Sequence, residues 1–316
     1  MSEELRERVL QTLSKANGVI FGQSNMLEGI IASLVCEGHL LIEGMPGLGK
    51  TLSVWTMSRL CDLAFKRVQF TPDLLPSDLI GTMIYNQSKD EFTTKFGPIF
   101  TQILLADEIN RSPAKVQSAL LEAMAERQVT IGDTTHKLSR PFVVLATQNP
   151  IEQEGTYNLP EAQLDRFMMK LSIDYPDFEA EKSILDLNKS DIDSLEPVLS
   201  TDDLIELKDE IGKIYVDDKI KDMIVRMVHA TRPGSRDFYR SMEGAVLAGA
   251  SPRASIWLYR LSKFKAFMEG KNFVTPDHLI SVIPEVMGHR ILLTYEASID
   301  KMTGRSVALE IAKSVV

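Results

Sequence analysis

The stretch from residue 44 to residue 51 contains the side chains best suited to chemistry, and it reads Gly44-Met45-Pro46-Gly47-Leu48-Gly49-Lys50-Thr51. An apolar run precedes it and a helix-compatible segment, Leu52 to Leu63, follows it, and in that context the spacing indicates a phosphate-binding loop. Glycines let backbone N–H groups surround phosphate oxygens. The start of the following helix offers further N–H groups and the positive end of its dipole.

Two polar side chains of this loop have expected roles. Lys50 should reach the β- and γ-phosphates of a nucleotide, and the hydroxyl of Thr51 should ligate Mg²⁺. The alternative is a glycine-rich turn in which the lysine occurs by chance. That interpretation requires that the sequence contain no second half of the site. The residues predicted to contact the nucleotide in this stretch are Gly44, Pro46, Gly47, Leu48, Gly49, Lys50, Thr51 and Leu52.

A second half of the site is predicted where an apolar strand, Ile103 to Ala106, ends in two carboxylates. Asp107 should hold Mg²⁺ through water, and Glu108 is placed to act as the general base on the attacking water. Asn149, at the end of another apolar run, could orient the same water. The alternatives are a solvated acidic strand end and an ordinary Asn-Pro turn.

Two arginines are further candidates. Arg166 could pair with Asp165 or a surface acid, or it could reach the γ-phosphate bound by a neighbouring subunit, a role worth about 10³–10⁵ in rate in phosphoryl transfer. Arg253 lies at the second position of a predicted helix that begins at Ser251-Pro252. A cation is unfavourable at a helix start, so an anion nearby would explain this arginine.

Apolar runs separated by helices or loops indicate an α/β fold with covered parallel strands. Two segments that interrupt this alternation, Gly81 to Gly97 and Gln128 to Leu138, are predicted hairpins. A helix is expected between them in the sequence, with Ser112 as its N-cap and Pro113 as its first residue. The predicted strands are His39–Glu43, Arg67–Phe70, Ile103–Ala106, Phe142–Thr147 and Met168–Ile173.

The length of 316 residues predicts two domains, at roughly 150 residues per domain. We place their boundary near Pro176, which gives a core of residues 1–176 and a helical domain of residues 177–316. Helix starts in the second domain are predicted at Asp177, Ser200, Ser251 and Thr275.

The composition, with 44% hydrophobic and 25% charged residues, is that of a globular protein. A formal net charge of −9 argues against a nonspecific nucleic-acid binder, which usually carries a basic surface. Cys36 and Cys61 are expected to be buried thiols. The sequence shows neither the apolar core of a signal peptide nor a membrane-spanning run, so we expect a cytoplasmic protein with no membrane span.

These motifs together resemble the AAA+ ATPases, and specifically the MoxR family, over nearly the whole chain. The similar segments include Phe21-Gly22-Gln23, Phe70 to Asp78, Gly97 to Phe100, Ala106 to Arg111, Gln117 to Met124, Ala146 to Pro150, Leu159 to Phe167, Gly249 to Ser255 and His289-Arg290-Ile291. The phosphate-binding loop alone indicates only a nucleotide-hydrolysing protein, whereas the combination is specific.

The resemblance implies an AAA+ P-loop αβα core with a five-stranded parallel sheet, followed by an all-α lid, with ATP and Mg²⁺ between core and lid. It implies that Gly22 and Gln23 lie near the adenine, that Asn149 is the first sensor, that Arg166 is a finger acting in trans and that Arg253 is the second sensor. The hairpins at 81–97 and 128–138 would face the pore of a ring, most simply a hexamer. Family members act as chaperone-like remodellers of client enzyme complexes, commonly with VWA-domain partners.

Three alternatives stay open at this stage. A metal-chelatase motor subunit would also work with a VWA partner. An MCM-like nucleic-acid motor shares the hairpins, on which Lys89, Lys95, His136 and Lys137 could contact phosphates, although the acidic balance and the missing DNA-binding domain oppose it. A regulatory switch would use ATP only to set a conformation that a partner recognises.

Overall fold

In the computed structural model, residues 2–88, 90–150 and 157–315 are described. The strands are β1 (Leu40–Glu43), β2 (Phe65–Gln69), β3 (Gly81–Asn86), β4 (Glu91–Phe96), β5 (Ile103–Asp107), β6 (Gln128–Ile131), β7 (Thr134–Lys137), β8 (Val143–Gln148), β9 (Met169–Ser172), β10 (Val246–Ala248) and β11 (Leu292–Leu293).

Helices account for most of the remaining described chain. They are α1 (Glu3–Asn17), α2 (Ser24–Cys36), α3 (Lys50–Leu60), α4 (Pro76–Ile80), α5 (Ala114–Glu126), α6 (Glu161–Leu164), α7 (Phe178–Leu185), α8 (Lys189–Asp193), α9 (Thr201–Gly212), α10 (Asp218–Ala230), α11 (Pro252–Met268), α12 (Pro276–Ile280), α13 (Ile283–Met287), α14 (Tyr295–Ile299) and α15 (Gly304–Val315), with short 3-10 helices at Ile109–Arg111, Arg240–Met242 and Gly288–Arg290.

The predicted α/β fold is confirmed by a five-stranded parallel sheet with the strand order β2-β5-β8-β1-β9. In its centre, β1, β5 and β8 pair in parallel and are buried along nearly their whole length. The expectation that all five strands are covered on both faces is wrong for β2, where Lys66, Arg67 and Gln69 are exposed. The reason is its position, because β2 is one of the two edge strands of the sheet.

The helix after the acidic strand end begins one residue later than expected. Pro113 occupies the N-cap position of α5 with extended backbone angles, and Ala114 is the first helical residue. Ser112 is therefore not the cap. Its hydroxyl donates to the carbonyl oxygen of Ile109 at 3.3 Å and closes the 3-10 turn that follows β5.

Both hairpins are confirmed, as the antiparallel pairs β3–β4 and β6–β7. Rings pack between them: the centroid of Phe96 lies 4.5 Å from that of Phe100 and 5.0 Å from that of His136. The two hairpins of this unit are thus joined by aromatic contacts. Lys89, a predicted phosphate contact on the first hairpin, lies outside the described residues.

The chain divides into two compact units. One contains Gln11–Leu159 and Leu171–Leu204, and the other contains Met1–Leu10, Pro160–Lys170 and Ile205–Val316. The domain boundary near Pro176 stays a prediction.

The C-terminal part of the chain is mainly helical, as expected, and all four predicted helix starts are confirmed, with the side chains of Asp177 and Ser251 capping α7 and α11. The small antiparallel pair β10–β11 was not predicted, because two to three residues are too few to show a period in the sequence.

Two expectations about burial and membrane spans can be compared with the described residues. Cys36 and Cys61 are both buried and are not joined in a disulfide, and burial raises the pKa of Cys61 to about 12. Within the described part of the chain, every helix is too short or too polar to cross a lipid bilayer.

Candidate active site

The glycine-rich loop connects β1 to α3 and is shaped by two different requirements for glycine. Gly44 extends the pairing of β1, since its N–H donates to the carbonyl oxygen of Gln148 at 3.2 Å, and a Cβ there would lie 2.4 Å from Cγ1 of Ile173. Gly47 and Gly49 have φ of +87° and +75°, which L side chains rarely adopt, while the space where a Cβ would project is open. The part of the loop around Gly47 and Gly49 is therefore a turn whose backbone has open space beside it.

The remaining predicted residues of the loop lie around the first turn of α3. Leu48 is buried, Thr51 and Leu52 are half-buried, and Pro46 is exposed. The loop leads directly into α3, an eleven-residue helix beginning at Lys50. The N–H groups at its start are those that an anion binds in loops of this kind.

Gly22 and Gln23 pack against the segment that follows β9. The side-chain amide of Gln23 donates to the carbonyl oxygen of Asp174 at 3.1 Å. Gly22 has a φ of +72°, and a Cβ there would lie 2.9 Å from Cβ of Pro176. These contacts hold the two residues in one place, and their contact with adenine stays a prediction.

Lys50 connects the loop electrostatically with the acidic strand end. Its Nζ donates to the carbonyl oxygen of Gly44 at 2.6 Å. Burial lowers the pKa of Lys50, while the negative charges of Asp107 and Glu108 act in the opposite direction. The predicted phosphate-binding lysine and the two predicted carboxylates therefore share one environment.

Asp107 is buried at the end of β5 and accepts hydrogen bonds on both carboxylate oxygens. The hydroxyl of Thr147 donates to Oδ1 at 2.6 Å, and Arg67 donates to Oδ2 from Nη2 at 2.7 Å and from Nε at 3.0 Å. The positively charged guanidinium of Arg67 is thus hydrogen-bonded to the carboxylate that is predicted to hold Mg²⁺.

Glu108 follows Asp107 in the left-handed conformation, with φ of +56°. Its backbone N–H donates to the hydroxyl of Thr147 at 2.9 Å. Its Oε2 accepts from the amide of Gln69 at 2.7 Å and from Nη1 of Arg111 at 2.9 Å. The predicted general base is consequently held by two donors of its own unit.

Asn149 follows β8, the strand that pairs with β5, and only 8% of its surface is exposed. Parallel strands bring their carboxyl ends to one edge of the sheet, so Asn149 and Glu108 lie at the same edge. The structure thereby brings together the loop, the acidic strand end and the predicted first sensor.

Sequence reasoning missed Arg67, Gln69 and Thr147. A signal for the first two was present, because residues two apart on a strand share a face and Arg67 and Gln69 lie in the last three residues of β2. The strand register explains why these side chains reach the acidic strand end, because Gln69 pairs with Asp107 across β2 and β5. Thr147 carries no local signal, because its role depends on the β5–β8 neighbourhood.

Arg166 and Arg253 belong to the other unit. Arg253 is the second residue of α11, as predicted, and its Nη1 donates to Oδ2 of Asp165 at 3.0 Å. The anion expected near this helix start is thus a carboxylate of the chain itself. Arg166 is half-buried beside Asp165.

The residues fit Mg²⁺ and a nucleoside triphosphate. The hydroxyl of Thr51 and the carboxylate of Asp107 are oxygen ligands of the kind that Mg²⁺ takes. The open loop offers backbone N–H groups to phosphates, and the partly buried Lys50 supplies a positive charge beside them.

Comparisons with known proteins agree with this geometry. The family model "ATPase family associated with various cellular activities (AAA)" matches residues 39–169, and the AAA lid domain matches residues 241–311. Chaperone MoxR1 of Mycobacterium tuberculosis is 44% identical over 297 residues, which are 94% of this chain and 79% of that protein. The uncharacterized protein YeaC of Bacillus subtilis is 41% identical over 99% of this chain and 96% of its own length.

A solved structure from Cytophaga hutchinsonii superposes with a TM-score of 0.92 at 46% sequence identity, covering 98% of this chain and 94% of that chain. Both units of the present chain are included in that coverage.

Proposed function

Because the chain belongs to the MoxR family of AAA+ ATPases, we propose that it hydrolyses Mg²⁺-bound ATP within an oligomeric ring, most simply a hexamer. We further propose that this hydrolysis drives chaperone-like remodelling or maturation of protein complexes, together with a VWA-domain partner. The observation that supports hydrolysis most directly is that the phosphate-binding loop after β1 and the carboxylates at the end of β5 lie at one edge of the sheet, on either side of β8.

Each residue at this edge has a proposed task. The N–H groups of the loop and Nζ of Lys50 bind the phosphates, while Thr51 and Asp107 hold the metal ion. When bound, Mg²⁺ neutralises phosphate charge and makes the terminal phosphorus a better electrophile. Asn149 orients the attacking water, and the carboxylate of Glu108 accepts its proton.

The hydrogen bonds of Glu108 imply a preceding step. A carboxylate that accepts from Gln69 and Arg111 has fewer lone pairs left to accept a hydrogen bond from water. We therefore propose that Glu108 gives up at least one of these donors before it acts on water. Arg166 of a neighbouring subunit would then complete the site by stabilising charge on the transferred phosphoryl group.

The test of hydrolysis compares Lys50→Ala, Glu108→Gln and wild type. Lys50→Ala is expected to lose binding of a fluorescent ATP analogue. Glu108→Gln should bind the analogue like wild type but hydrolyse ATP about 10²–10⁴-fold more slowly, because the amide cannot accept the proton. The exposed Glu122→Gln is the matched control and should turn over normally. Full turnover by Glu108→Gln would refute the assignment of the base.

The test of remodelling uses Glu108→Gln as bait in a lysate of the source organism, with ATP and with ADP. Recovery of a VWA-domain protein or an unassembled enzyme subunit only with ATP would support the proposal. Recovery of nucleic acid would favour a motor of the MCM-like kind instead. A partner held equally with both nucleotides would remove the proposed link between ATP and the client.

A further inference from the structure

A buried arginine, Arg290, lies in the same unit as Arg166 and contacts the backbone on both sides of it. The side chain of Arg290 is only 1% exposed. Its Nε donates to Oδ1 of Asp165 at 2.9 Å, and its Nη2 donates to the carbonyl oxygen of Asp165 at 3.0 Å and to that of Phe167. Its Nη1 donates to the carbonyl oxygens of Met168, at 3.2 Å, and Val286.

These five hydrogen bonds use all five N–H donors of a guanidinium group. Three of the acceptors are carbonyl groups at positions 165, 167 and 168, where α6 has ended and β9 has not begun. Such carbonyl groups lack partners within secondary structure and need donors from elsewhere. Arg290 supplies them, and the carboxylate of Asp165 balances its charge.

Asp165 also contacts the start of α11, at the edge of this arrangement. The hydroxyl of Ser251 donates to Oδ1 at 2.8 Å and to Oδ2 at 2.9 Å, and Arg253 donates to Oδ2 at 3.0 Å. The side chain of Arg253 is 49% exposed, in contrast to that of Arg290. An anionic ligand could therefore draw Arg253 away while Arg290 and Ser251 still hold Asp165.

We infer that Asp165 and Arg290 are positioning residues that hold the backbone at Arg166, so that its guanidinium is presented to the active site of the neighbouring subunit. This inference rests on the proposed function, in which Arg166 acts in trans. The pair is suited to this task because it fixes the peptide units flanking Arg166 without using the side chain of Arg166. Arg253, the exchangeable third partner, can respond to nucleotide without loosening the pair.

The test compares ATP turnover of Asp165→Asn, Arg290→Lys and Arg166→Ala in the assembled full-length protein. Asparagine keeps an acceptor for Ser251 but loses the charge, and lysine has three donors where arginine has five. Both variants should bind a fluorescent ATP analogue like wild type. Each should lose about 100-fold in turnover, which is the cost that a misplacement of about 1 Å can have.

Subunit mixing separates positioning in trans from a defect in the variant's own site or fold. Glu108→Gln subunits cannot hydrolyse ATP but retain Asp165, Arg166 and Arg290. When they are mixed with Asp165→Asn or Arg290→Lys subunits, they should supply a correctly held Arg166 and restore turnover, as they should for Arg166→Ala. A general folding defect would lower nucleotide binding and the thermal midpoint, and mixing would not repair it.

The outcomes distinguish the inference from the proposed function. Wild-type turnover by Arg166→Ala would refute the proposed action of Arg166 on the neighbouring active site. If Arg166→Ala is impaired and rescued by mixing but Asp165→Asn and Arg290→Lys turn over normally, only the positioning role fails. If Asp165→Asn and Arg290→Lys lose turnover and mixing does not restore it, the positioning role is also overturned. Arg305→Gln is the matched control, because it breaks an ion pair with Glu285 in the same unit and should leave turnover unchanged.

Discussion

A single hydroxyl group, that of Thr147, contacts both residues of the acidic strand end. It accepts from the backbone N–H of Glu108 at 2.9 Å and donates to Oδ1 of Asp107 at 2.6 Å. Thr147 is fully buried, so water cannot replace these bonds easily. At the residue scale, the geometry of the two carboxylates therefore depends on one side chain of a neighbouring strand.

Thr147→Val should destabilise the protein by about 1–3 kcal/mol, because it leaves the N–H group of the half-buried Glu108 and a buried carboxylate oxygen of Asp107 without their partner. Thr56→Val is the matched control. Among the described residues, the buried Oγ1 of Thr56 has no hydrogen-bond partner, so its replacement should cost little or stabilise. Urea denaturation of both variants would measure the difference, and equal effects would contradict this account of Thr147.

His39 predicts a pH dependence of stability. Its Nδ1 accepts from the N–H of Val144 at 3.0 Å, which leaves Nε2 to donate to the carbonyl oxygen of Met124 at 3.2 Å, so the folded protein holds the neutral ring. Burial is the main cause that lowers the pKa of His39 from 6.5 to about 4. Between these values the unfolded chain binds a proton that the folded protein does not.

The folded protein should accordingly be most stable, with respect to His39, above pH 6.5, and should lose about 3 kcal/mol as the pH falls to about 4. His39→Gln can make both hydrogen bonds without titrating, and its free energy of unfolding should show a smaller slope in this window. Denaturation series at pH 7.5, 6, 5 and 4 would test this. An unchanged slope in His39→Gln would show that other groups cause the dependence.

At the scale of elements, the C-terminal ends of α2 and α5 are joined by their cap residues. Glu37 and Arg127 both have left-handed backbone conformations, with φ of 50° and 54°. Arg127 forms an ion pair with the carboxylate of Glu37 and also donates to its carbonyl oxygen at 3.2 Å. One cap precedes β1 and the phosphate-binding loop, and the other precedes the second hairpin.

This arrangement explains why residues other than glycine occupy two positions where glycine is favoured. A double-mutant cycle with Glu37→Gly, Arg127→Gly and the double variant should give a favourable coupling of about 1 kcal/mol, because each single change removes the same pair. The free energies of unfolding would be measured by urea denaturation. A coupling near zero would place this pair among the many surface ion pairs that contribute little.

At the scale of the whole molecule, the proposed action of Arg166 on a neighbouring subunit would leave the site incomplete in a single chain. ATP turnover per chain should therefore rise at least about tenfold as protein concentration increases through the range of assembly. Sedimentation at the same concentrations would relate turnover to oligomeric state. Binding of a fluorescent ATP analogue is the control, since Lys50 and its loop belong to one chain.

Arg166→Ala should abolish this concentration dependence while leaving assembly intact. A constant turnover per chain from the dissociated to the assembled state would contradict completion of the site in trans. It would not contradict the separate proposal that Glu108 is the general base of hydrolysis.

Local sequence determined much of this protein. The spacing of Gly44 to Thr51 predicted a phosphate-binding loop, and the carboxylates after the apolar run at 103–106 predicted an acidic strand end. The turn residues predicted both hairpins. Each of these features depends on neighbours within about ten residues. Helix starts at Ser251 and Thr275 were predictable for the same reason, since a cap is a local interaction. Such residue types and spacings indicate the kind of site that a chain contains, even when its fold is unknown.

Only the tertiary structure decided which donors hold the acidic side chains. Arg67 and Asp107 are 40 positions apart in the chain, and Asp165 and Arg290 are 125 positions apart. The first pair meets because of the order and register of β2 and β5, and the second because the last 3-10 helix packs beside α6. No local pattern specifies such neighbours, since long-range pairing depends on how whole elements pack.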